Sequence, residues 1–268
     1  MTAATARRTL LETRLLAGRS LRHIPRIPEK LADVTIQPII FTAMFAYVFG
    51  SAIRVPGGGN YREYLVAGMF AQGMIGPMMG IAVGIAEDVR TGIVDRLRAL
   101  PISRVSVLAG RALSELAQIA LGLVIFTICG LVVGWQPHGS PLETLAAYAL
   151  LVLWAFAGIW VGTLLGLVVR DGETAQTVGF TVILPVMFLS AIFVPIGGLP
   201  TPLRQFAEYN PLSCVATAMR HLFHNPSPAV SDAWPLTHPV LATVLWSVGI
   251  LGVFAPLAVR RYRRMAAA

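Results

Sequence analysis

Charged positions divide the chain into six uncharged, mostly apolar runs at 34–53, 64–86, 116–135, 144–169, 174–194 and 238–259. Each is at or near the ~20 residues that cross a bilayer as a helix. The pattern predicts an all-α membrane protein with six transmembrane helices, the third entering from residue 105. Between the second and third runs the periodicity changes. Val89, Ile93, Leu97 and Leu100 recur at i, i+4, i+8 and i+11, while Asp88, Asp95 and Arg98 face elsewhere. This predicts a charged amphipathic helix over 87–101, of the kind that docks into a groove on a soluble partner. Pro101 ends it, because proline cannot continue the hydrogen-bond ladder.

Two outlying segments carry helical spacing of their own. In residues 1–33, Leu10, Ala17, Leu21 and Ile24 share a face roughly opposite Arg8, Arg19, Arg22 and Arg26. That predicts a helix lying along the inner membrane interface, a frayed basic tail being the alternative. The uninterrupted apolar core of a secretory signal peptide is not seen there. In 195–237, Gly197, Gly198, Pro200 and Pro202 break the chain before Leu203, Phe206 and Tyr209 resume helical spacing. A second short helix is expected to start at Asn210-Pro211, since Asn is a favoured cap and Pro a favoured first residue. Val215, Met219 and Leu222 give it one apolar face. Two such helices predict an outer hairpin, either re-entrant under a cover of protein or lying on the surface.

Within the second run, Gly76, Gly80 and Gly84 stand one turn apart, a spacing that lets helix backbones approach closely. The expectation is a moving or dimeric interface, or else ordinary packing within the chain. Pro77 is expected to bend this helix.

Composition agrees with the pattern: 56% of residues are hydrophobic, 13% are charged and mean hydropathy is +0.70. Of the 21 basic residues, 17 fall before the first run, between the second and third, after the fourth and after the sixth; the other side holds only Arg54, Arg62, Arg204 and Arg220. Cytoplasmic flanks are enriched in Lys and Arg, so both termini, the basic tail 260–268 and the amphipathic helix are placed in the cytoplasm. The net charge of +8 thus reflects topology, and no nucleic-acid partner is implied.

Catalytic chemistry is missing from the sequence. Lys30 is the only lysine and stands outside any Gly-rich phosphate loop, and there is no zinc motif or nucleophile elbow. His221 and His224 lack a third ligand. Glu115, at i+4 from Arg111, reads as a local ion pair near the inner boundary. No metal or cofactor is therefore expected in this chain.

The run from Gly92 through Asp95, Arg96, Arg98 and Pro101 to Arg104, followed by Gly110-Arg111, resembles the signature of the ABC-2 type exporter permeases, closest to the daunorubicin-resistance (DrrB-like) branch. Phe193-Val194-Pro195, Leu199-Pro200, Asn210-Pro211-Leu212 and Arg220 match the second block of that family. The resemblance implies the ABC-2 (type V exporter) fold in a bacterial inner membrane. It also implies a separate ATP-binding cassette ATPase that holds the ATP and Mg, and a second permease copy, identical or related. The helix between spans two and three is then the coupling helix, with Glu87, Gly92, Asp95, Arg96, Arg98 and Pro101 at the ATPase contact. Asn210, Pro211 and Arg220 would belong to an exit gate.

Closure of the ATPase pair would move that helix and shift the cavity from inward to outward access. Phe41, Phe45 and Phe49 on span one and Phe180 and Phe188 on span five are candidate lining for a hydrophobic substrate, a lipophilic drug or a lipid. Alternatives are a polysaccharide or glycolipid exporter, and an ATP-independent carrier or scaffold. A carrier usually shows inverted repeats or buried ionisable groups, and neither is found.

Overall fold

The computed structural model describes residues 39–40, 42–48, 53, 55–56, 58–92, 104–228 and 231–265, with the backbone alone for 104–117. Among the described residues the protein is helical, without strands. A helical segment covers 42–48. The helices that follow are α1 (Tyr61–Gly73), α2 (Ile75–Arg90), α3 (Arg104–Val133), α4 (Pro141–Val168), α5 (Gly172–Phe188), α6 (Thr201–Tyr209), α7 (Pro211–Leu222), α8 (Trp234–Thr237) and α9 (Pro239–Met265). Among the described residues, three stretches are long and apolar enough to cross a membrane: Tyr61–Arg90, Pro141–Val168 and Pro239–Met265.

Local chemistry sets several boundaries. Asn60 caps α1, its side-chain oxygen accepting from the Arg62 amide at 2.9 Å. Helicity is interrupted at Met74. Pro77 causes this, because it donates no hydrogen bond and its ring crowds the carbonyl four residues earlier, at Gly73. A capping box opens α4: the Ser140 hydroxyl accepts from the Glu143 amide while the Glu143 carboxylate accepts from the Ser140 amide. Asp171 caps α5 by accepting from the Thr174 amide at 2.7 Å. Asn210 closes α6 and caps α7, its side-chain oxygen accepting from the Leu212 amide at 2.9 Å.

Two expected elements take a different form. The fifth apolar run reaches residue 194, yet α5 ends at Phe188 and the chain continues without helix through Leu189. The amphipathic helix expected over 87–101 does not run on unbroken from Glu87. Glu87 and Val89 belong to the last turn of α2, and Gly92 adopts a left-handed φ of +67°, which glycine takes without a steric cost. Val89 packs against the core and is not part of a free stripe.

The core is seamed by glycines, while two of the three that the spacing singled out face open space within the chain. A Cβ on Gly76 or Gly80 would meet nothing within 4 Å. Close approach of α2 to α4 instead depends on α4: Gly158, Gly162 and Gly166, each one turn apart, face Met78, the Met78 carbonyl and the Ala82 carbonyl respectively. Met79 fills the matching hole at Gly179 of α5. Flexible thioether side chains on α2 thus sit in sockets that glycine leaves on two neighbours. At one end, Phe70, Trp135, Tyr148 and Phe223 form an aromatic cluster with centroids 5.1–6.1 Å apart. The Trp135 indole donates to Asn225 at 2.7 Å, which satisfies its buried N–H.

Candidate functional site

Where α5 stops, the backbone enters a buried stretch that makes no helix of its own, and its polar groups must find partners elsewhere. Side chains from α1, α7 and the Asn210 cap supply them. The Asn210 amide donates to the carbonyls of Val186 at 2.6 Å and Leu189 at 2.8 Å. The Ser213 hydroxyl accepts from the Ala191 amide at 2.9 Å. The Tyr64 hydroxyl donates to the Ala191 carbonyl at 2.8 Å and the Tyr61 hydroxyl to the Phe193 carbonyl at 2.9 Å. Arg220 donates from Nη2 to the Ile192 carbonyl at 2.9 Å and from Nε to the Tyr64 carbonyl at 3.0 Å. Residues 186–193 are thereby clasped between α1 and α7.

Arg220 is the centre of this clasp. It is 2% exposed, and its guanidinium carbon lies 3.5 Å from the centroid of the Tyr64 ring. A cation over an aromatic face with two carbonyls as acceptors is how a lone guanidinium can be buried without a carboxylate. The close approach requires Gly68, where a Cβ would stand 2.5 Å from the Ile192 carbonyl and 2.7 Å from Arg220 Nη2.

Of the residues the sequence placed at an exit gate, Asn210 and Arg220 thus converge on one backbone segment, while Pro211 acts as the first residue of α7. Tyr61, Tyr64 and Ser213 are equal members that sequence reasoning missed. A tyrosine inside an apolar run was the available signal, since a buried phenol needs a partner.

The candidate substrate-path residues divide. Phe45 stacks on Phe193 with centroids 4.5 Å apart, and Phe188 lies 6.1 Å from Phe193. Phe188 and Phe193 belong to the clasped segment, and Phe45 packs against it from the helical segment at 42–48. Phe188 is 64% exposed, so one side of the group is open to whatever adjoins it. Phe180 is exposed and lies two turns away from Phe188 on α5, and Phe41 and Phe49 lie outside the described residues.

At the opposite end of α5, the coupling candidates are only in part described. Glu87 is held by Arg90, which donates to it through Nε at 3.0 Å and through Nη2. The Thr91 hydroxyl donates to the Glu87 carbonyl at 2.8 Å and closes the helix. Gly172, at the start of α5, lies against Val83 and toward the Glu87 carboxylate. Asp95, Arg96, Arg98 and Pro101 lie outside the described residues, as do residues 1–33; the side chains of Arg111 and Glu115 are likewise not described. Outside both ends, His138 pairs with Glu63 at 3.1 Å and His224 with Glu143 at 3.0 Å.

α5 thus runs between a backbone segment clasped by side chains and the charged end of α2. The profile of the ABC-2 type transporter family matches residues 12–224. The chain belongs to this family. The permease is 29% identical over 245 residues to the daunorubicin resistance ABC transporter permease protein DrrB1 of Streptomyces coeruleorubidus, covering 91% of this chain and 83% of that protein. It is 24% identical over 266 residues to the probable doxorubicin resistance ABC transporter permease protein DrrC of Mycobacterium tuberculosis, covering 97% and 91%. The permease is accordingly the integral membrane component of an ATP-binding cassette transporter.

Proposed function

We propose that the permease exports a hydrophobic compound across a bacterial inner membrane, driven by a separate ATPase subunit that binds the ATP and Mg. The observation that carries this reading is the match along most of the chain to permeases named for resistance to daunorubicin and doxorubicin, flat and lipophilic molecules. The exposed ring of Phe188, grouped with Phe193 and Phe45, supports a cargo of that chemistry. We assign six spans with both termini cytoplasmic, and two permease copies to each transporter. The segment from Glu87 through Gly92, Asp95, Arg96 and Arg98 to Pro101 makes the ATPase contact. The clasp of Asn210, Ser213, Arg220, Tyr61 and Tyr64 forms the outer gate, with α6 and α7 as a re-entrant hairpin whose backbone is satisfied by protein.

In this mechanism ATP-driven movement of the coupling segment is carried by α2, which is locked into α4 and α5 by Met78 and Met79. α5 then presents the motion to the clasp. Everted vesicles containing the permease and its co-expressed ATPase are expected to accumulate daunorubicin only with ATP. Accumulation without the ATPase subunit, or failure of that subunit to crosslink from Arg98, would falsify the assignment.

A further inference from the structure

The last helix is longer than the membrane needs, and the excess is neither apolar nor free. α9 spans Pro239–Met265, 27 residues or about 40 Å at the rise of an α-helix, against a hydrocarbon thickness of about 30 Å. Arg260 comes twenty-one residues after Pro239, so the four arginines 260, 261, 263 and 264 begin about where the acyl chains end. Beyond that point the helix stays docked. Its packed seam runs through Thr243, Ser247 and Ala258, and Tyr262 and Met265 continue it against the core. Arg261 turns inward to the end of α4, its Nε 3.4 Å from the Leu167 carbonyl.

The other three arginines project from the opposite side. Leu245, Val248, Val253 and Leu257 are all 43–55% exposed, and Arg260, Arg263 and Arg264 continue that exposed side past the apolar zone. An apolar face that turns into three guanidinium groups without leaving the helix matches the profile of a phospholipid, acyl chain first and phosphate after. Guanidinium forks bind phosphate oxygens in pairs, and the helix holds the three within about 6 Å of rise along its axis.

We propose that Arg260, Arg263 and Arg264 form an inner-leaflet site for the phosphate of an anionic phospholipid whose chains lie along α9. The site rests on the membrane placement of the chain and not on its cargo. It is distinct from the clasp, and its occupant is a resident lipid with no part in the export step.

The test uses the full chain in phosphatidylcholine vesicles carrying trace spin-labelled phosphatidylglycerol or spin-labelled phosphatidylcholine. The wild type is expected to immobilise phosphatidylglycerol several-fold more than phosphatidylcholine, each basic side chain at the surface contributing up to about fivefold, with the preference shrinking in high salt. The combined R260Q, R263Q and R264Q variant should bring the ratio close to one, and R260K, R263K and R264K should keep part of it. Single R264Q supplies the same comparison at smaller amplitude if the triple variant does not fold. Equal association of both lipids with the wild type would overturn the site, as would a preference that survives in the glutamine variants. Displacement of the lipid preference by millimolar inorganic phosphate would make it a free-anion site instead. If the glutamine variants lose the ATPase subunit while keeping the lipid ratio, the arginines belong to a protein contact and the proposal falls.

Discussion

The two ends of α5 are secured by opposite means. At its C-terminal end the helix gives way to buried backbone, and five side chains from beyond α5 bond its polar groups. At the N-terminal end the start of α5 is capped by its own Asp171, and the neighbouring Glu87–Arg90 pair is about half exposed. Water competes for these exposed contacts and replaces them at little cost. No water replaces the buried ones, so each carbonyl that loses its donor there bears the full desolvation penalty. The comparison teaches where a transporter of this kind can yield gradually and where it must switch. An exposed helix end can follow a partner's movement continuously, whereas a buried clasp is either made or open.

The largest expected effect is at the centre of the clasp. Arg220→Ala removes donors from two buried carbonyls and leaves a cavity over Tyr64, at a cost of about 4 kcal/mol. Arg220→Lys restores the charge but cannot serve both carbonyls with a fork, so it rescues only in part. Chemical unfolding in mixed micelles measures both; an Arg220→Ala protein within about 0.5 kcal/mol of wild type would remove the basis for a clasp.

Next in size is the glycine seam. Gly162→Val puts a side chain onto the Met78 backbone, and overpacking of this kind costs about 2–3 kcal/mol and separates α2 from α4. Gly80→Val, on the open side of α2, leaves the stability of the single chain unchanged. Comparing export with unfolding for the pair sharpens the contrast between buried and exposed contacts. A Gly80→Val protein that is stable but inactive places a second permease copy or the cargo on that face.

How much of this was legible follows from which interactions are local. Asn210-Pro211 announced the start of α7, because a helix start is written within four residues. Family motif and charge distribution pointed to the membrane class without any contact being known. The early end of α5 was hidden, since Leu189, Ala191, Ile192 and Phe193 are as apolar as any helical residue, and what releases them is bonding from Tyr64 and Arg220, far away in sequence. The glycine spacing on α2 left its partner open for a similar reason. Gly76-x-x-x-Gly80 and Gly158-x-x-x-Gly162 look alike as strings, and only the fold decides which of them meets a neighbour.

A smaller effect separates packing from bonding within the clasp. Tyr64→Phe keeps the ring under Arg220 and removes only the hydroxyl that satisfies the Ala191 carbonyl, so the loss is about 1–2 kcal/mol. If the variant unfolds like wild type but exports faster, the hydroxyl restrains opening and adds little to the resting fold. A loss as large as that of Arg220→Ala would show instead that the segment collapses as a unit.

The smallest effect belongs to the N-terminal end of α5 and depends on pH. The Thr174 amide bonded to Asp171 holds its carboxyl below the usual carboxylate range, with the nearby Arg90 and Arg170 acting in the same direction. A folded-state value that is lowered means that the contribution is complete above the ordinary carboxylate pKa and fades as pH falls through the folded one. Acidification therefore loosens the start of α5 while leaving the clasp intact. Asp171→Asn keeps a capping oxygen but carries no titrating charge, so its stability is slightly lower near neutrality and flatter toward acid. Hydrogen exchange at the first turn of α5, followed as pH is lowered, reads this directly. Equal acid sensitivity in wild type and Asp171→Asn would move the titrating group elsewhere, and a simultaneous rise in exchange at Ala191 would join two ends that the contacts keep separate.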